Sequence, residues 1–296
     1  ASFDIADKYL ISGSYRIDGS SRFSEENRWS AFPAVSVGWK INNEDFLKDS
    51  ETISELKLRA GYGVTGNQEI GNNYGYIAYY TPSTNGASYQ FGNTFYPTLR
   101  PEEYDANLRW EELETYNVGL DFGLFDDRLN GSVDAYHRTT DDLLAFVPVP
   151  AGANLSDQLL TNVGETVSRG VEVGLEGQLI RTDKINWNLN YNITFQDLEI
   201  TKLSLGENPN FFIPRGGISG GVGNTIQLWK TGIDPTTFFV YRQVYDQENN
   251  PIEGAYVDVN GDNVITEADR QPYKKVSPDF YMGLTNSFTY LDFDFS

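Results

Sequence analysis

The chain has 296 residues, with 42 acidic and 22 basic side chains, so its formal charge is −20 at neutral pH. This charge disfavours nucleic acid as a partner, because phosphate groups bind to basic surfaces. The chain contains no cysteine and one histidine, His137, which excludes disulfide scaffolds, thiolate zinc sites, thiol nucleophiles and multi-histidine metal centres.

Hydropathy limits which kinds of membrane protein this sequence could encode. No apolar run reaches the roughly 18 residues of a transmembrane helix, which excludes a helical membrane protein. A membrane β-barrel stays open, because its strands are short and alternate in polarity. Aromatic residues make up 14% of the chain, which also has 28 glycines and 12 prolines, a composition typical of all-β proteins.

Apolar and polar residues alternate along much of the chain with the period of a β-strand. The clearest case runs from Trp187 to Gln196, where every second side chain is apolar and the others are Asn, Thr or Gln. In chain order, this pattern predicts strands at 8–18, 34–41, 56–65, 116–124, 129–138, 171–180, 187–196, 280–290 and 293–296.

Two kinds of connection join the predicted strands. Residues 125–128 and 181–185 are short polar links that predict hairpins. Long stretches at 66–113, 139–169 and 197–279 are rich in Gly, Pro, Asn and aromatic residues, and the link at 43–54 has room for a helical turn around Phe46 and Leu47. Alternating short and long connections favour an up-and-down meander.

Strand length favours a membrane barrel over a soluble sheet. About 10 residues at roughly 3.3 Å each, tilted by about 45°, span about 25 Å, the height of a barrel's apolar band. The polar face consists mostly of Gly, Ser, Asn and Gln, which suits a crowded, wet interior. A soluble antiparallel sheet with one solvated face remains the alternative.

Several segments carry a family resemblance. The segments are 16–23 (RIDGSSRF), 28–39 (RWSAFPAVSVGW), 56–68 (LKLRAGYGVTGNQ), 107–111 (NLRWE) with 116–121, 141–144 (DDLL) with 162–164 and 169–172, and 258–262 (DVNGD) with Asp269. In this order they resemble barrel segments of the SusC/RagA-type TonB-dependent outer-membrane transporters of Bacteroidetes.

The resemblance implies an all-β, antiparallel up-and-down transmembrane barrel of 22 strands with long extracellular loops and an N-terminal plug. It implies an outer-membrane location, import of a bulky oligosaccharide or peptide, and no enzymatic activity. It also implies a SusD-like surface lipoprotein, TonB and outer-membrane lipid as partners. We expect residues 1–296 to be a partial barrel of about eight complete strands without the plug.

The 258–269 segment has the spacing of a calcium loop. Oxygen-bearing side chains occupy positions 1, 3, 5, 9 and 12 of a 12-residue EF-hand-like loop, and position 7 offers a backbone carbonyl. Position 6 is Asn263 rather than Gly, and position 12 is Asp rather than Glu. The alternative is an ion-free turn stabilised by Asx side chains. The predicted calcium ligands are Asp258, Asn260, Asp262, Val264, Thr266 and Asp269.

Other motifs point away from catalysis. The G-x-G-x-x-G at 61–66 is not followed by an amphipathic helix, so we interpret it as small inward-facing residues. The Gly-rich 216–223 segment lacks P-loop residues and is interpreted as a flexible connection. His137 is expected at a strand end, and the acidic pairs 102–103, 126–127 and 141–142 are expected to be solvated. No catalytic residue is predicted.

Aromatic residues crowd the connection after the third predicted strand. They could stack on sugars, contact a partner protein, or pack within the loop or at the membrane surface. The rival to a transporter is a soluble or surface-attached all-β carbohydrate-binding or adhesin module with its apolar faces packed together. The aromatic residues are Tyr74, Tyr76, Tyr79, Tyr80, Tyr89, Phe91, Phe95 and Tyr96.

Overall fold

A computed structural model describes residues 1–71, 73–83, 88–149, 158–203 and 211–296. The chain divides into two compact units. Unit 1 comprises Ala1–Asp197 and Phe280–Ser296, and unit 2 comprises Leu198–Asp279. In the described ranges, no helix is long and apolar enough to cross a membrane.

The described structure is almost entirely β-strand, with two single-turn 3-10 helices at Ile41–Asn43 and Glu267–Asp269. The strands, numbered in chain order, are β1 (Ser2–Ile5), β2 (Tyr9–Gly19), β3 (Trp29–Lys40), β4 (Ile53–Asn67), β5 (Tyr80–Pro82), β6 (Tyr89–Phe91), β7 (Thr94–Tyr96), β8 (Leu99–Pro101), β9 (Glu111–Leu124), β10 (Leu129–Pro148), β11 (Gln158–Arg181), β12 (Ile185–Leu203), β13 (Ile213–Ile218), β14 (Gly221–Trp229), β15 (Thr237–Tyr241), β16 (Gln243–Tyr245), β17 (Pro251–Tyr256), β18 (Arg270–Lys275), β19 (Phe280–Tyr290) and β20 (Phe293–Phe295).

Unit 1 is organised around one ten-stranded sheet with the order β1-β2-β3-β4-β9-β10-β11-β12-β19-β20. Neighbours in this order are also neighbours along the chain, except where β5–β8 and unit 2 are inserted. The sheet is therefore an antiparallel up-and-down meander, as predicted, with free edges at β1 and β20. Eight of its strands have 11 or more residues.

The two predicted hairpins are confirmed. Leu124 pairs with Leu129 across the 125–128 turn. Phe125, Asp126 and Asp127 all have positive φ, near 55°. At the next hairpin, Thr182 and Ile185 exchange backbone and hydroxyl hydrogen bonds of 2.9–3.0 Å. We call this side of the sheet the short-turn edge, and the opposite side the long-connection edge.

The apolar face of the sheet is exposed. Tyr15 of β2 has 67% of its surface exposed, Val118 of β9 has 54%, and Leu284 of β19 has 66%. An apolar face this large and this open is not that of a sandwich, where it would be buried against a second sheet.

The strands β10 and β11 are much longer than predicted. Residues 139–148 and 158–167, which lie in the stretch predicted as connection, pair with each other from Thr139 and Val167 as far as Pro148 and Gln158. A bulge at Asp142, whose φ is 56°, shifts the register between Thr140 and Leu143. The bulge breaks the alternation on which the prediction rested, because an extra residue reverses the face of every later side chain.

The main apolar core of unit 1 lies at the long-connection edge. Trp110 packs on Phe23 and Phe32, with ring centroids 5.4 and 5.5 Å apart, and its indole N–H donates to the Arg28 carbonyl at 3.2 Å. The buried members of this cluster are Phe23, Phe32, Ile70, Leu108, Trp110 and Leu160.

Unit 2 has strands of its own, although its sequence was predicted as a long connection. One sheet has the order β13-β14-β15-β18, and β16 and β17 form a separate hairpin. The Gly-rich 216–223 segment, predicted as a flexible connection, comprises the end of β13, a turn at 219–220 and the start of β14, with φ of 70° at Gly216 and 78° at Gly220. Short strands with irregular register carry too little alternation to be recognised.

Candidate functional site

The polar face of the unit 1 sheet is the largest candidate site. On β4 it presents alternating residues from Lys57 to Thr65, and the register aligns Arg59 with Gly119 of β9 and Gly61 with Asn117. Asp134 of β10 pairs with Gly119 from the other side. Residues distant in sequence therefore meet on one face of three neighbouring strands.

Arg59 lies at the centre of an ion cluster on this face. Its Nε and Nη2 donate to the two carboxylate oxygens of Asp121 at 2.7 Å each, and Nη2 also reaches Asp134 Oδ1 at 3.0 Å. Lys57 Nζ lies 3.5 Å from Asp121. Two cations thus face two carboxylates, which leaves the cluster neutral and fixes the Arg59 fork in a bidentate geometry.

Glycine makes room for this cluster. A Cβ at Gly119 would lie 2.8 Å from Arg59 Nη2 and closer still to Asp134 Oδ1. A Cβ at Gly61 would in the same way collide with the Asn117 amide. The glycines of 61–66 therefore serve packing inside β4, in agreement with their interpretation as small inward-facing residues.

Small side chains leave grooves in the polar face beside the Arg59 cluster. A groove of about 560 Å³ borders Arg59 and Lys57, and a second of about 530 Å³ is lined in part by Ser14, Ala34 and Gly63. A third groove, of about 400 Å³, lies between β10, β11 and β12 and includes Asn190 and Asn192 in its lining. Hydroxyl and amide groups donate and accept hydrogen bonds, so this face suits water and neutral polar ligands.

A clamp at the long-connection edge joins three of the segments that carry the family resemblance. Arg109 Nε donates to Asp142 at 2.7 Å. Asn162 Oδ1 accepts from the Arg109 N–H at 3.0 Å, and Glu111 Oε2 accepts from the Leu144 N–H at 3.0 Å. These residues bind one another, so the clamp joins segments that are far apart in the sequence.

A second cluster closes the short-turn edge. Glu44 accepts hydrogen bonds from Lys8 Nζ at 2.8 Å, the Tyr9 hydroxyl at 2.8 Å and the Trp39 indole at 3.1 Å. These donors, Lys8 first, lower the pKa of Glu44 to about 2. No motif in the sequence pointed to this cluster, although a helical turn around Phe46 and Leu47 was predicted, and hydrogen-bonded turns do occupy 41–50.

The predicted calcium loop is a network of side-chain to backbone hydrogen bonds. Asp258 accepts the N–H groups of Gly261 and Asn263 at 2.7 Å each. Asp262 accepts the Val264 N–H at 2.8 Å, and the Asn260 side chain accepts the Asp262 N–H at 3.0 Å. Asn263 has a φ of 65°, so Asn adopts here the left-handed turn that position 6 of such a loop requires.

The last ligand position of the loop is buried. Asp269 is 0% exposed and accepts the N–H groups of Thr266 and Val259 at 2.8 Å each. The Thr266 N–H, followed by those of Val259 and Asn260, lowers the pKa of the Asp269 carboxyl below its usual range. Thr266 and Asp269 also form a capping box around the short 3-10 turn.

One feature of this loop favours a bound metal ion and another opposes it. Each carboxylate oxygen that accepts one N–H keeps a second lone pair for a ligand bond. Yet in the described part of the chain, no three acidic, histidine or cysteine side chains converge in an arrangement that would hold a metal ion. The calcium assignment stays a prediction.

The remaining candidates from the sequence are His137 and the acidic pairs. His137 lies within β10, away from its ends, because that strand continues to Pro148. Of the acidic pairs, Glu102 accepts from Thr81 and Arg100, and Asp142 pairs with Arg109, so neither is merely solvated.

The loop aromatics divide into two groups. Tyr76 packs against the buried core of unit 1. Tyr89, Phe91, Phe95 and Tyr96 lie on the small β6–β7 hairpin and are each more than half exposed. Within the hairpin, the centroid of the Phe91 ring lies 4.8 Å from that of Tyr89 and 6.1 Å from that of Tyr96, so these rings pack on one another and still expose more than half of their surface.

Comparison with known proteins identifies close relatives. The family model "TonB dependent receptor-like, beta-barrel" matches residues 1–294. The chain is 43% identical over 295 residues to TonB-dependent receptor SusC of Bacteroides thetaiotaomicron, covering 99% of this chain and 29% of the relative. It is 42% identical over 202 residues to TonB-dependent receptor P39 of Formosa agariphila, covering 68% of this chain and 19% of the relative.

Solved structures agree. The RagAB peptide transporter superposes with a TM-score of 0.79 at 25% identity, covering 99% of this chain and 31% of that one. The RagAB peptide importer in its "open-open" state gives 0.80 at 27% identity, covering 99% and 30%. The chain thus spans about a third or less of the length of these relatives.

Proposed function

The chain belongs to the TonB-dependent receptor-like β-barrel family, and from this premise we propose that it forms part of the wall of an outer-membrane importer. The exposed apolar face would contact lipid, and the polar face would border the water-filled lumen. The imported nutrient would be a bulky oligosaccharide or peptide. The relatives are receptors and transporters by name, and no reaction is assigned to this chain.

The observation that carries this proposal is the contrast between the two faces of one sheet. The apolar face exposes Tyr15, Val118 and Leu284. Soluble proteins rarely expose so large a continuous apolar surface to water. The opposite face carries the Arg59 cluster and the small-residue grooves. The rival soluble module requires the apolar faces to pack against each other, and the exposure of these residues argues against it.

The partners follow from the same premise. The names of the relatives refer to TonB, and the RagAB structures are a peptide transporter and a peptide importer by title. We extend to this protein a SusD-like surface lipoprotein at the long-connection edge and energy supplied through TonB. Both partners would act on the complete protein, since this chain spans only about a third of the length of the relatives.

Adjacent cysteines test the orientation of the faces, because the chain has no cysteine of its own. Val35 and Ser36 are consecutive on β3 and face opposite ways. A fluorophore on Val35→Cys in the full-length protein should be quenched by spin-labelled lipid, and one on Ser36→Cys should not. Equal quenching at both positions, or recovery of the protein only from the soluble periplasm, would refute the proposal.

A separate proposal concerns calcium. The spacing of 258–269 and the positive φ of Asn263 support a calcium ion held by Asp258, Asn260, Asp262, Val264, Thr266 and Asp269. The carboxylates and the amide would supply oxygen ligands, and the ion would order the loop. A loop stabilised by its own hydrogen bonds, with no ion, is the competing account.

A further inference from the structure

Unit 2 contains a groove, in a part of the chain predicted as a long connection. It has a volume of about 570 Å³, within the range of roughly 300–1,000 Å³ typical of ligand pockets. It lies between the β15–β18 pair and the β16–β17 hairpin. Its lining includes Tyr241, Arg242, Gln243, Tyr245, Gln271 and Tyr273.

The wall of this groove is fixed by its own hydrogen bonds. The Gln243 amide donates to the carbonyls of Val244, Ile252 and Ala255 at 2.6–3.1 Å, which ties β16 to β17. The Val257 N–H donates to the Arg242 carbonyl at 2.9 Å. A wall built in this way needs little reordering when a ligand binds.

The lining has a distinctive chemistry. Tyr241, Tyr245 and Tyr273 supply rings with polar tips, and Val240 and Val257 supply apolar wall. Of the described residues that line the groove, none is acidic. Within the described part of the chain, the Arg242 guanidinium and the Gln271 amide make no hydrogen bond or ion pair, so both are available to a ligand.

We infer that this groove binds an oligosaccharide that carries a carboxylate, an inference that rests on the proposed import function. Tyrosine rings stack on the apolar faces of sugar rings, and the Gln271 amide can pair with hydroxyl groups. The planar Arg242 fork matches a carboxylate in a bidentate geometry. Three tyrosine rings for sugar faces and an amide for hydroxyl groups, beside one guanidinium, favour a sugar acid over a peptide.

The test uses the full-length protein in detergent and three probes. These are a trisaccharide of galacturonic acid, the same trisaccharide with its carboxyl groups reduced to hydroxymethyl, and trialanine. Calorimetry should detect the acidic trisaccharide and find it bound at least tenfold more tightly than the reduced one. Failure of the acidic trisaccharide to bind at millimolar concentration, equal binding of both sugars, or tighter binding of trialanine would overturn the inference.

Two variants locate the site. Arg242→Gln should weaken binding of the acidic trisaccharide about tenfold and leave the reduced trisaccharide unchanged. Tyr273→Ala should weaken both sugars. The matched control is Arg181→Gln, an exposed arginine of unit 1, which should change neither. Unchanged binding in both groove variants would overturn the inference.

Heat-modifiable migration on a gel, measured on each preparation, reports separately whether the barrel is folded. If the barrel is folded but binds no trisaccharide, only the proposed ligand of the groove is refuted. Loss of outer-membrane location and of heat-modifiability in the wild-type protein would instead remove the proposed import function.

Discussion

The Asn162 side chain holds the backbone of Arg109 as a neighbouring strand would. Its Oδ1 accepts the Arg109 N–H at 3.0 Å, and its Nδ2 donates to the Arg109 carbonyl at 3.0 Å. The same Nδ2 donates to the Asp142 carbonyl at 2.8 Å. One amide therefore joins the segment before β9, the bulge of β10 and the beginning of β11.

Removal of this amide should loosen the long-connection edge. Asn162→Ala removes three hydrogen bonds, two exposed and one partly buried, whose backbone groups can then bind water, so we expect a net cost of about 1 kcal/mol. We expect the full-length barrel to lose its heat-modifiable band at a lower temperature and its loops to be cut sooner by protease. Asn162→Asp should behave similarly, because a carboxylate cannot donate. Asn188→Ala, on the polar face of β12, is the control, and equal effects of Asn162→Ala and Asn188→Ala would contradict the role of the clamp.

Gly119 should not tolerate a methyl group. The Cβ of Gly119→Ala would enter the space of Arg59 and Asp134 and separate that ion pair, with an expected loss of about 1–3 kcal/mol. Chemical unfolding of the purified barrel measures the loss. Gly174→Ala is the matched control, because its nearest neighbour, Ser132 Oγ, would be at an ordinary 3.5 Å. Equal stability of the two variants would show that the Arg59 cluster accommodates the added methyl group without loss of stability.

Acid should open the Glu44 cluster at the short-turn edge. Because the folded pKa is about 2 and the ordinary value is 4.5, the stabilisation is complete above pH 4.5 and is lost as pH falls through 2. Trp39 donates to Glu44, so its fluorescence should change with a midpoint near pH 2. The change should be absent in Trp39→Phe. A midpoint near 4.5 would mean that the three donors do not hold the carboxylate.

Calcium binding should depend on the charge of Asp262. Asp262→Asn keeps the oxygen that accepts the Val264 N–H but removes a carboxylate, so calcium affinity should fall at least tenfold by calorimetry. Asp292→Asn, an exposed acid outside the loop, should bind calcium like the wild type. Absence of any binding heat in the wild type at millimolar calcium would leave the hydrogen-bonded turn as the full account of the loop.

The strands of unit 1 could be predicted because their signal is local. Side chains alternate in direction along a strand, so the pattern at Trp187–Gln196 identifies β12 and its two faces without reference to any other strand. The prediction failed beyond Arg138, where the bulge at Asp142 reverses the alternation. It also failed in unit 2, whose strands are too short to show a period.

The sequence by itself determined that this chain is a set of long antiparallel strands with one apolar and one polar face, and its motif order determined the family. Only the tertiary structure decided which charges meet. Arg59 binds carboxylates 62 and 75 residues away, and Asn162 binds a backbone 53 residues away. The groove in unit 2 likewise brings together residues of separate strands, which the sequence alone does not show. Such contacts depend on strand register and on bulges, which set side chains against each other across the sheet and leave no periodic trace in the sequence.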